Sequence, residues 1–426
     1  MKLLFLSVDF PLPADRGLRV RTLTQLRLLR GIDAITNITL LSLRNLAVDA
    51  SALQELRREI PGIAIEPPIF QPIHMRQHPA TLPRLLALRF LRRVPYIVGK
   101  CDNTAMRQLV RAQLQTGDFD AVYLGSLGMT TYLDDVRASA PHAKVILEQH
   151  NVEWEIFDRL AASFSPAMSR LVRWEARAVE RYERRIMPKV DAVLAISDAD
   201  ATAFHRMAGV RAAVIPPFIV PRPARECAVT APALVYVGVL AWQPNVQGLD
   251  WFCREVWPNV LRQVPDATLR IVGGGLPRDE SGVPVMPEHW RLPGISAAGY
   301  VEDLETEYDK AIGLVAPIIG GSGVRMKLLE AFSAGMPTVT TTDGAAGLHV
   351  TDGRELMIAT APEVFARHVI QVLRDRTLRD NLRTNGYEYL RANHSAHVGR
   401  ERLSAALGLS PEAARATPKA MTGGHR

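Results

Sequence analysis

The chain has 426 residues, 47% of them hydrophobic and 22% charged, which is the composition of a globular protein with room for two or three domains. No apolar run reaches the roughly 20 residues that cross a bilayer, and the apolar start MKLLFLSVDF lacks the small-residue cleavage site of a signal peptide, so it predicts a buried strand. The three cysteines lie far apart and outside ligand spacing, which argues against a disulfide framework and a zinc site, and we therefore expect a cytoplasmic protein.

The N-terminal half alternates apolar runs of strand length with amphipathic helical patterns. Strands are predicted for residues 1–10, 35–43, 63–70, 120–127, 144–151, 191–197 and 212–218. Helices are predicted for residues 19–29, 49–58 and 168–187. Such alternation is typical of a doubly wound α/β domain with right-handed crossovers, which we assign to residues 1–215.

The net charge of +7 is concentrated in one stretch of this half. Residues 76–115 contain eight basic residues and one acidic residue, so this stretch alone equals the surplus of the whole chain. Nucleic acid is not expected as a partner, because the stretch holds few aromatic residues to stack on bases and no known reader motif. Leucines and Phe90 that alternate with arginines favour contact with an anionic membrane surface, and a solvated helix is the alternative.

A cluster of prolines between residues 216 and 232 predicts a hinge, after which the strand and helix alternation restarts. The second α/β domain is assigned to residues 233–380, followed by a helical segment at 381–410. The tail 411–426 has no apolar period and is expected to be disordered. Ligands of such sheets bind at the carboxyl ends of the strands, and with two domains the cleft between them is the expected site.

The most informative stretch is LVAPIIGGSGVRMKLLEAFSAGMP, which predicts a buried strand, a glycine loop from Gly320 and a helix. Backbone N–H groups at such a helix start attract an anion. Arg325 and Lys327 lie in the first turn, where cations are unfavourable unless an anion compensates them. Glu330, one turn later, is placed to accept hydrogen bonds from ribose hydroxyls. A nucleotide diphosphate site is therefore predicted, and the alternative is an ordinary crossover with solvated basic residues.

Four segments of the C-terminal half resemble one known protein family. VGVLAWQPN, LRIVGGG, GYVEDLETEY and APIIGGSGVRMKLLEAFSAGMPTVTT are similar to the nucleotide-sugar domain of the family 4 glycosyltransferases, which have the GT-B fold. The PxxxGxRxR loop and the EQHNVE segment of the N-terminal half resemble the acceptor domain of a bacterial branch that assembles surface polysaccharides. The resemblance extends from residue 1 to about residue 400.

This resemblance implies two doubly wound Rossmann-like domains that face an interdomain cleft, with the segment 381–410 packing back on the first domain. It also implies a retaining transfer of a sugar from a nucleoside diphosphate donor to a saccharide or lipid-linked acceptor, without a metal ion or another cofactor. The expected location is the cytoplasm, with peripheral association at the inner face of the plasma membrane. Arg325 and Lys327 would hold the diphosphate and neutralise the leaving group.

Other site residues follow from the same resemblance. Glu330 matches the second glutamate of an E-x7-E motif that binds ribose, whereas Ser322 stands where the first glutamate is expected. Ser322 and the backbone of its neighbours Gly321 and Gly323 would therefore replace a carboxylate at the donor sugar. Tyr300 and Val301 match the loop whose backbone holds the base. Gly238 matches the glycine of the family, but the basic pair that usually follows it is missing from this sequence. Arg325 and Lys327 would therefore neutralise more of the phosphate charge.

Several of these assignments have alternatives. Asn245 matches a PN pair of the donor site, and a helix cap after Pro244 is the other interpretation. Gly17 matches a loop glycine that approaches the phosphate. His150 matches a catalytic histidine that contacts the donor sugar, and a structural histidine at a strand end is the other interpretation. Glu153 is a substitute for that role or simply the start of the next helix.

The remaining open choices concern two arginines and the activity itself. Arg19 and Arg21 are interpreted as helix-surface charges rather than acceptor contacts. Two other activities remain open for the whole chain: a degenerate GT-B module that binds nucleotide sugars or a partner, favoured by Ser322, and a sugar-nucleotide epimerase, for which the expected acid and histidine set is not evident.

Overall fold

A computed structural model describes residues 1–14, 17–45, 48–71, 82–162, 164–222, 229, 231–320 and 324–410, apart from the side chains of Leu82 and Leu86. The chain divides into two compact units. Unit 1 comprises Met1–Pro216 together with the residues from Gly399 onward, and unit 2 comprises Pro217–Val398. The predicted tail 411–426 lies outside the described residues.

Unit 1 is built around a parallel sheet that has eight strands among the described residues, in the order β3-β2-β1-β5-β6-β7-β8, with β4 paired to β2. The central strand β1 pairs with β2 from Lys2 opposite Asn37 and with β5 from Leu3 opposite Ala121. Five of its six residues are buried, as expected for a parallel strand covered by helices on both faces. The strands are β1 Lys2–Ser7, β2 Asn37–Arg44, β3 Ile63–Ile65, β4 Ile69–Phe70, β5 Ala121–Leu124, β6 Lys144–Glu148, β7 Ala192–Ala195 and β8 Ala213–Val214.

The helices of unit 1 begin where sequence signals place them. Asp49, Asn103 and Ser197 each cap the helix that follows by accepting a backbone N–H with the side chain. The helices are α1 Gly17–Arg30, α2 Ala50–Glu59, α3 Leu82–Leu91, α4 Tyr96–Gly99, α5 Thr104–Thr116, α6 Leu133–Ser139, α7 Glu153–Ala161, α8 Pro166–Ile186 and α9 Asp198–Ala208.

Unit 2 holds a second parallel sheet, with six strands among the described residues in the order β11-β10-β9-β12-β13-β14. The chain reverses its direction of progress across the sheet between β9 and β12, which is the switch point where ligands of such folds bind. The strands are β9 Ala233–Val237, β10 Thr268–Val272, β11 Ile295–Gly299, β12 Gly313–Ala316, β13 Thr338–Thr340 and β14 Met357–Ile358. The helices are α10 Gln243–Trp251, α11 Trp257–Gln263, α12 Glu305–Tyr308, α13 Met326–Ser333, α14 Thr342–Ala345, α15 Pro362–Arg374 and α16 Arg376–Asn393.

The last helix of the described chain, α17 Ala396–Leu407, contributes to unit 1 from Gly399 onward. A Cβ added at Gly399 would lie 2.9 Å from the Leu28 side chain of α1, so only glycine allows this close approach. Lys144 Nζ at the start of β6 donates a hydrogen bond of 3.0 Å to the carbonyl oxygen of Ala406. Helix α17 is therefore fastened to α1 and to the sheet of unit 1.

Prolines account for the places where the predicted strands are longer than the observed ones. The run 63–70 is two short strands, because Pro67 and Pro68 between them lack the N–H that a sheet requires. The strand expected at residues 314–319 ends at Ala316, immediately before Pro317. The run 212–218 keeps only two paired residues, which lie just before Pro216 and Pro217.

Candidate functional site

The loops after β9, β10 and β11 are packed against one another at the carboxyl edge of the unit 2 sheet. Leu240 N donates to the carbonyl of Gly274 at 2.7 Å, and Gly273 N donates to the carbonyl of Gly299 at 2.8 Å. Gly273 has a φ of +146°, and a Cβ there would lie 1.8 Å from the carbonyl oxygen of Gly238. No side chain fits between these loops, so the backbone at Gly238 is fixed by its neighbours.

Lys327, in the first turn of α13, lies directly over the end of β9. Its Nζ donates a hydrogen bond of 3.0 Å to Asn245 Oδ1, and it lies 5.0 Å from the ring centre of Tyr236. A Cβ added at Gly238 would be 3.0 Å from Nζ and 2.6 Å from the Tyr236 hydroxyl, which is buried and has no hydrogen-bond partner among the described residues. Glycine at this position therefore leaves room beside the ammonium group.

Within the described part of the chain, no carboxylate forms an ion pair with Lys327. Burial, and after it the neighbouring Arg325, lower its pKa to about 8, with Glu330 acting in the opposite direction. Among the hydrogen bonds and ion pairs of the described residues, its partner is the neutral amide of Asn245. A half-buried cation whose hydrogen-bond partner is a neutral group is suited to bind an anion.

Arg325 occupies the N-cap position of α13 and contacts the loop that precedes it. Its Nη2 donates to the carbonyl of Gly320 at 3.1 Å, while Gly320 N donates to Asp343 Oδ2 at 2.7 Å. Burial lowers the pKa of Arg325, and Asp343 opposes this change. Gly320 has a φ of +72°, a conformation that favours glycine. The next three predicted site residues lie outside the described residues: Gly321, Ser322 and Gly323.

Asn245 lies in the first turn of α10, and the helix-cap interpretation of it is wrong. The N-cap of α10 is Trp242, and Asn245 instead donates from Nδ2 to the carbonyl of Val239 at 2.8 Å while Oδ1 accepts from Lys327. Helix α10 touches the sheet at Gly248, where a Cβ would lie 1.7 Å from the carbonyl oxygen of Pro317. This close approach holds Asn245 between the β9 loop and Lys327.

Glu330 lies one turn beyond Lys327 on the same helix. Burial raises the pKa of its carboxyl group, whereas Arg222 and Lys327 lower it. Arg222 itself forms an ion pair of 3.2 Å with Glu305, and its backbone N–H donates to Ser333 Oγ. The carboxylate of Glu330 is therefore flanked by two cations and suits hydroxyl ligands.

Tyr300 and Val301 directly follow β11 at the same edge. The Tyr300 side chain is largely exposed, and its Cβ lies 3.7 Å from the position of a Cβ at Gly274. Val301 is half-buried and packs against the apolar cluster on one face of the unit 2 sheet. The structure thus gathers Gly238, Asn245, Tyr300, Lys327 and Glu330 at the carboxyl ends of neighbouring strands.

In unit 1, a buried hydrogen-bond network surrounds Glu148 at the end of β6. Its Oε1 accepts from Arg21 Nε at 2.6 Å and from Gln25 Nε2 at 2.9 Å, and its Oε2 accepts from the Tyr123 hydroxyl at 2.9 Å. Burial alone would raise the pKa of Glu148, but Arg21 and His150 outweigh it and lower the pKa to about 2. The network holds α1 to the strand that leads to His150.

His150 and Glu153 lie on the segment that joins β6 to α7. His150 Nε2 is 3.6 Å from Glu148 Oε2, an ion pair when the imidazole is protonated. Glu183 of α8 accepts the side-chain amide of Gln149 at 3.2 Å and the backbone N–H of Glu153 at 3.1 Å. Burial raises the pKa of Glu183 to about 8, against the hydrogen bond from Glu153. Glu183 therefore fastens the segment from both sides of His150.

The interpretation of Arg19 and Arg21 as helix-surface charges is wrong, since both are buried. Arg19 Nε pairs with Asp9 Oδ2 at 2.7 Å, and Arg21 pairs with Glu148 and also donates to the carbonyl of Ile215. Both carboxylates come from other elements, so the sequence around the arginines does not reveal them. Gly17 is the first residue of α1, and the space around its absent Cβ is open.

Four residues of these two regions were not anticipated as site residues. Tyr236 supports Lys327, Asp343 holds Gly320, Arg222 flanks Glu330 and Glu183 holds the His150 segment. Asp343 closely follows the end of β13, so its position at the carboxyl edge is a usable signal. Tyr236 lies inside a strand and Glu183 inside a helix, where their sequence context resembles that of ordinary core and surface residues.

The basic stretch 76–115 is partly neutralised within unit 1, as far as the described residues show. Arg84 and Arg107 pair with Asp102, Arg89 pairs with Glu175, and Arg111 pairs with Asp135. Residues 76–81 of the stretch lie outside the described residues. Much of the local charge therefore stabilises contacts between helices rather than facing solvent alone.

Metal-binding clusters and membrane-spanning helices are both absent from the described residues. They contain no group of three or more His, Cys, Asp or Glu side chains arranged to hold a metal ion. None of their helices combines the length and the apolar character that a membrane crossing requires.

Comparison with known proteins gives one family match and one relative in sequence. The profile of the family described as Glycosyl transferases group 1 matches residues 231–375. An uncharacterised 44.6 kDa protein in a cps region of Klebsiella pneumoniae is 26% identical over 166 residues, which is 38% of this chain and 42% of that protein. The chain thus spans less than half the length of this relative.

Solved structures match over nearly the whole chain at low identity. HepE of Anabaena, in complex with UDP, has a TM-score of 0.62 at 12% identity, covering 96% of this chain and 100% of that one. TarM of S. aureus has a TM-score of 0.64 at 11% identity, covering 95% and 98%. The chain therefore has the GT-B fold of these glycosyltransferases, and its residues 231–375 match the family of glycosyl transferases group 1.

Proposed function

We propose that this protein is a glycosyltransferase that moves a sugar from a nucleoside diphosphate sugar to a saccharide or lipid-linked acceptor, with retention of configuration and without a metal ion. The observation that carries the proposal is the half-buried ammonium group of Lys327. It lies at the switch point of the unit 2 sheet with a neutral hydrogen-bond partner and Arg325 as its neighbour. A diphosphate would supply the negative charge that this arrangement lacks.

The same two cations account for the chemistry. When the bond between the anomeric carbon and the phosphate oxygen breaks, negative charge develops on the nucleoside diphosphate, and Arg325 and Lys327 stabilise it. Glu330 accepts hydrogen bonds from the ribose hydroxyls, and the backbone at Tyr300 and Val301 holds the base. In unit 1, His150 contacts the transferred sugar, and Gly17, which has no side chain, leaves room for the phosphate.

The acceptor and the biological role are proposed from weaker support. The cps-region relative in Klebsiella pneumoniae supports a role in surface polysaccharide assembly. A lipid-linked acceptor would bring the protein to the inner face of the plasma membrane, and the basic stretch 76–115 is one candidate for that contact. The HepE structures with UDP and UDP-glucose make uridine donors the first choice for testing.

Calorimetry of the full chain with UDP, GDP and their sugars tests the donor site. We expect binding of one nucleotide family, weakened about tenfold or more in Arg325→Ala and Lys327→Ala, because each change removes a charge-assisted contact. Lys310→Ala is the matched control, since Lys310 is exposed and paired with Glu307. Absence of binding to every nucleotide would rule out the proposal.

Product analysis separates the proposed activity from its alternatives. Transfer with an unchanged anomeric configuration, measured by NMR in the presence of a chelator, supports a retaining and metal-independent enzyme. Tight nucleotide binding without transfer to any saccharide or lipid-linked acceptor points to a degenerate binding module, the alternative that Ser322 favours. Conversion of the donor sugar into its epimer without transfer points to an epimerase.

A further inference from the structure

Helix α8 begins with a stretch that is exposed among the described residues of unit 1. None of the ten residues 166–175 is buried, and the first buried side chain of the helix is Ala176. Met168, Leu171 and Trp174 nevertheless recur at three-residue spacing along one side of this stretch, and all three are exposed. Helical surfaces that face water alone are rarely apolar at successive turns.

Neighbouring elements extend this apolar side into a larger patch. Leu160 at the end of α7 and Phe164 in the turn before α8 are exposed, and Phe164 lines an open cavity with Arg170 and Arg173. On the other side, the rings of Phe90 and Trp174 lie 6.3 Å apart. We call this surface the α7–α8 patch; its apolar members are Phe90, Leu91, Leu160, Phe164, Met168, Leu171 and Trp174.

Helix α3 is attached to this patch by specific contacts. The guanidinium group of Arg89 lies 3.9 Å from the ring centre of Trp174, and its Nε is 3.3 Å from Glu175 Oε2. These contacts place Phe90, which is 68% exposed, and Leu91, which is 83% exposed, beside the start of α8. The patch is therefore one continuous surface of unit 1.

The charged residues within segments 90–93 and 160–174 are all basic. Arg92, Arg93, Arg170 and Arg173 are exposed within it, and the sequence has no acidic residue at 90–93 or at 160–174. A symmetric dimer through this face would bring the arginines of one copy against those of the other, which is unfavourable. Aromatic and aliphatic side chains interspersed with arginines match the interface of an anionic lipid bilayer instead.

We infer that the α7–α8 patch docks unit 1 on an anionic phospholipid membrane. The membrane contact itself does not depend on the proposed function. Only its purpose, which is to bring the protein to a lipid-linked acceptor, rests on that function. It moves the membrane contact from the whole stretch 76–115 to the end of α3 and the start of α8. The reason is that Arg84, Arg107 and Arg111 are paired with aspartates, whereas the arginines of the patch are accompanied by exposed apolar side chains.

Vesicle sedimentation of the full chain tests the docking surface. We expect binding to vesicles of phosphatidylcholine with phosphatidylglycerol at low salt, weaker binding as salt is added, and little binding to phosphatidylcholine alone. Leu171→Glu should reduce the affinity about tenfold or more. Val283→Glu is its matched control, because Leu171 and Val283 are 56% and 55% exposed and Val283 lies in unit 2.

A second pair of variants separates charge from apolar contact. Arg170→Gln with Arg173→Gln should reduce binding to anionic vesicles, whereas Arg57→Gln with Arg58→Gln, on the exposed side of α2, should leave it unchanged. Circular dichroism confirms that each variant is folded. Equal binding of Leu171→Glu and Val283→Glu, or equal binding to neutral and anionic vesicles, would overturn the inference.

The remaining outcomes distinguish this inference from the proposed function. Self-association of the wild type that Leu171→Glu abolishes, without vesicle binding, would show a dimer interface and overturn the membrane assignment. UDP affinity measured by calorimetry should be the same in Leu171→Glu and wild type. A protein that binds anionic vesicles but no nucleotide would refute the proposed function and leave the docking surface standing.

Discussion

Replacement of Lys327 by methionine should have opposite effects on stability and on nucleotide binding. Methionine fills a similar volume without a charge, so the substitution removes the half-buried ammonium group and little else. In the free protein that group has the amide of Asn245 as its hydrogen-bond partner. Removing it relieves the cost of burying a cation, but it also removes the group that we propose for the diphosphate.

The magnitude of the stability effect follows from the pKa of Lys327. Its usual value of 10.5 is lowered to about 8, mainly by burial. At pH 7 this difference corresponds to at most about 3 kcal/mol of destabilisation by the protonated group. Lys327→Met should therefore raise the free energy of unfolding by about 1 to 2 kcal/mol once the lost hydrogen bond is subtracted. The expected rise in Tm is a few degrees, about 2 to 4 °C per kcal/mol.

The pH dependence has a definite sign. The folded state releases the Lys327 proton near pH 8, whereas the unfolded state keeps it until about 10.5. Wild-type stability should therefore rise, relative to the variant, as pH increases from about 8 to 10.5. The advantage of Lys327→Met should be largest below pH 8 and should disappear above 10.5. Nucleotide affinity of the wild type should fall above pH 8, because the neutral amine no longer attracts the diphosphate.

Thermal denaturation and calorimetry with UDP together test these statements. The variant should bind UDP about 10- to 150-fold more weakly, the loss expected for one charge-assisted contact of about 1.5 to 3 kcal/mol. Lys310→Met, at an exposed site paired with Glu307, should change both quantities little. A variant that is less stable than wild type at pH 7 and binds UDP equally well would refute the reasoning.

Three other substitutions test separate parts of the structure. Gly248→Ala should destabilise unit 2 by about 1 to 3 kcal/mol in denaturant, because its Cβ would meet the carbonyl of Pro317 at 1.7 Å and this outweighs the gain of about 1 kcal/mol in helix propensity. Glu183→Gln should be more stable than wild type at pH 8 but not at pH 5. The reason is that the raised pKa of about 8 makes the folded wild type lose stability between pH 4.5 and 8. Asn245→Asp should raise the pKa of Lys327 and the Tm of the free protein, while repulsion of the diphosphate weakens UDP binding about tenfold.

Each of these substitutions has a contradicting result. Unchanged or increased stability of Gly248→Ala would show that α10 moves away from the sheet at little cost. A constant stability difference between Glu183→Gln and wild type from pH 5 to pH 8 would mean that the carboxyl group does not titrate in that range. Tighter UDP binding in Asn245→Asp would exclude a phosphate position beside Lys327.

Local patterns in the sequence determined the order of strands and helices and the position of the glycine loop. The run before Gly320 is apolar and the helix after it has a clear period, and both properties are local. The resemblance in the stretches around Gly238 and Lys327 then indicated a nucleotide-sugar domain, which the family match at residues 231–375 supports. Prolines such as Pro317 marked strand ends more sharply than hydrophobicity did, because they lack a backbone donor.

Only the tertiary structure decided the partners of the charged side chains. Arg21 reaches Glu148 across 127 positions of sequence, and Lys327 reaches Asn245 across 82, so no local pattern identifies either pair. The structure also decided which arginines are buried. An arginine in a helix looks the same in sequence whether its guanidinium group faces water or a carboxylate. The same contrast separates Arg107, which is paired inside unit 1, from Arg170, which is exposed on the α7–α8 patch. Distance along the chain does not determine distance in space, and the electrostatics of this site depend on the latter.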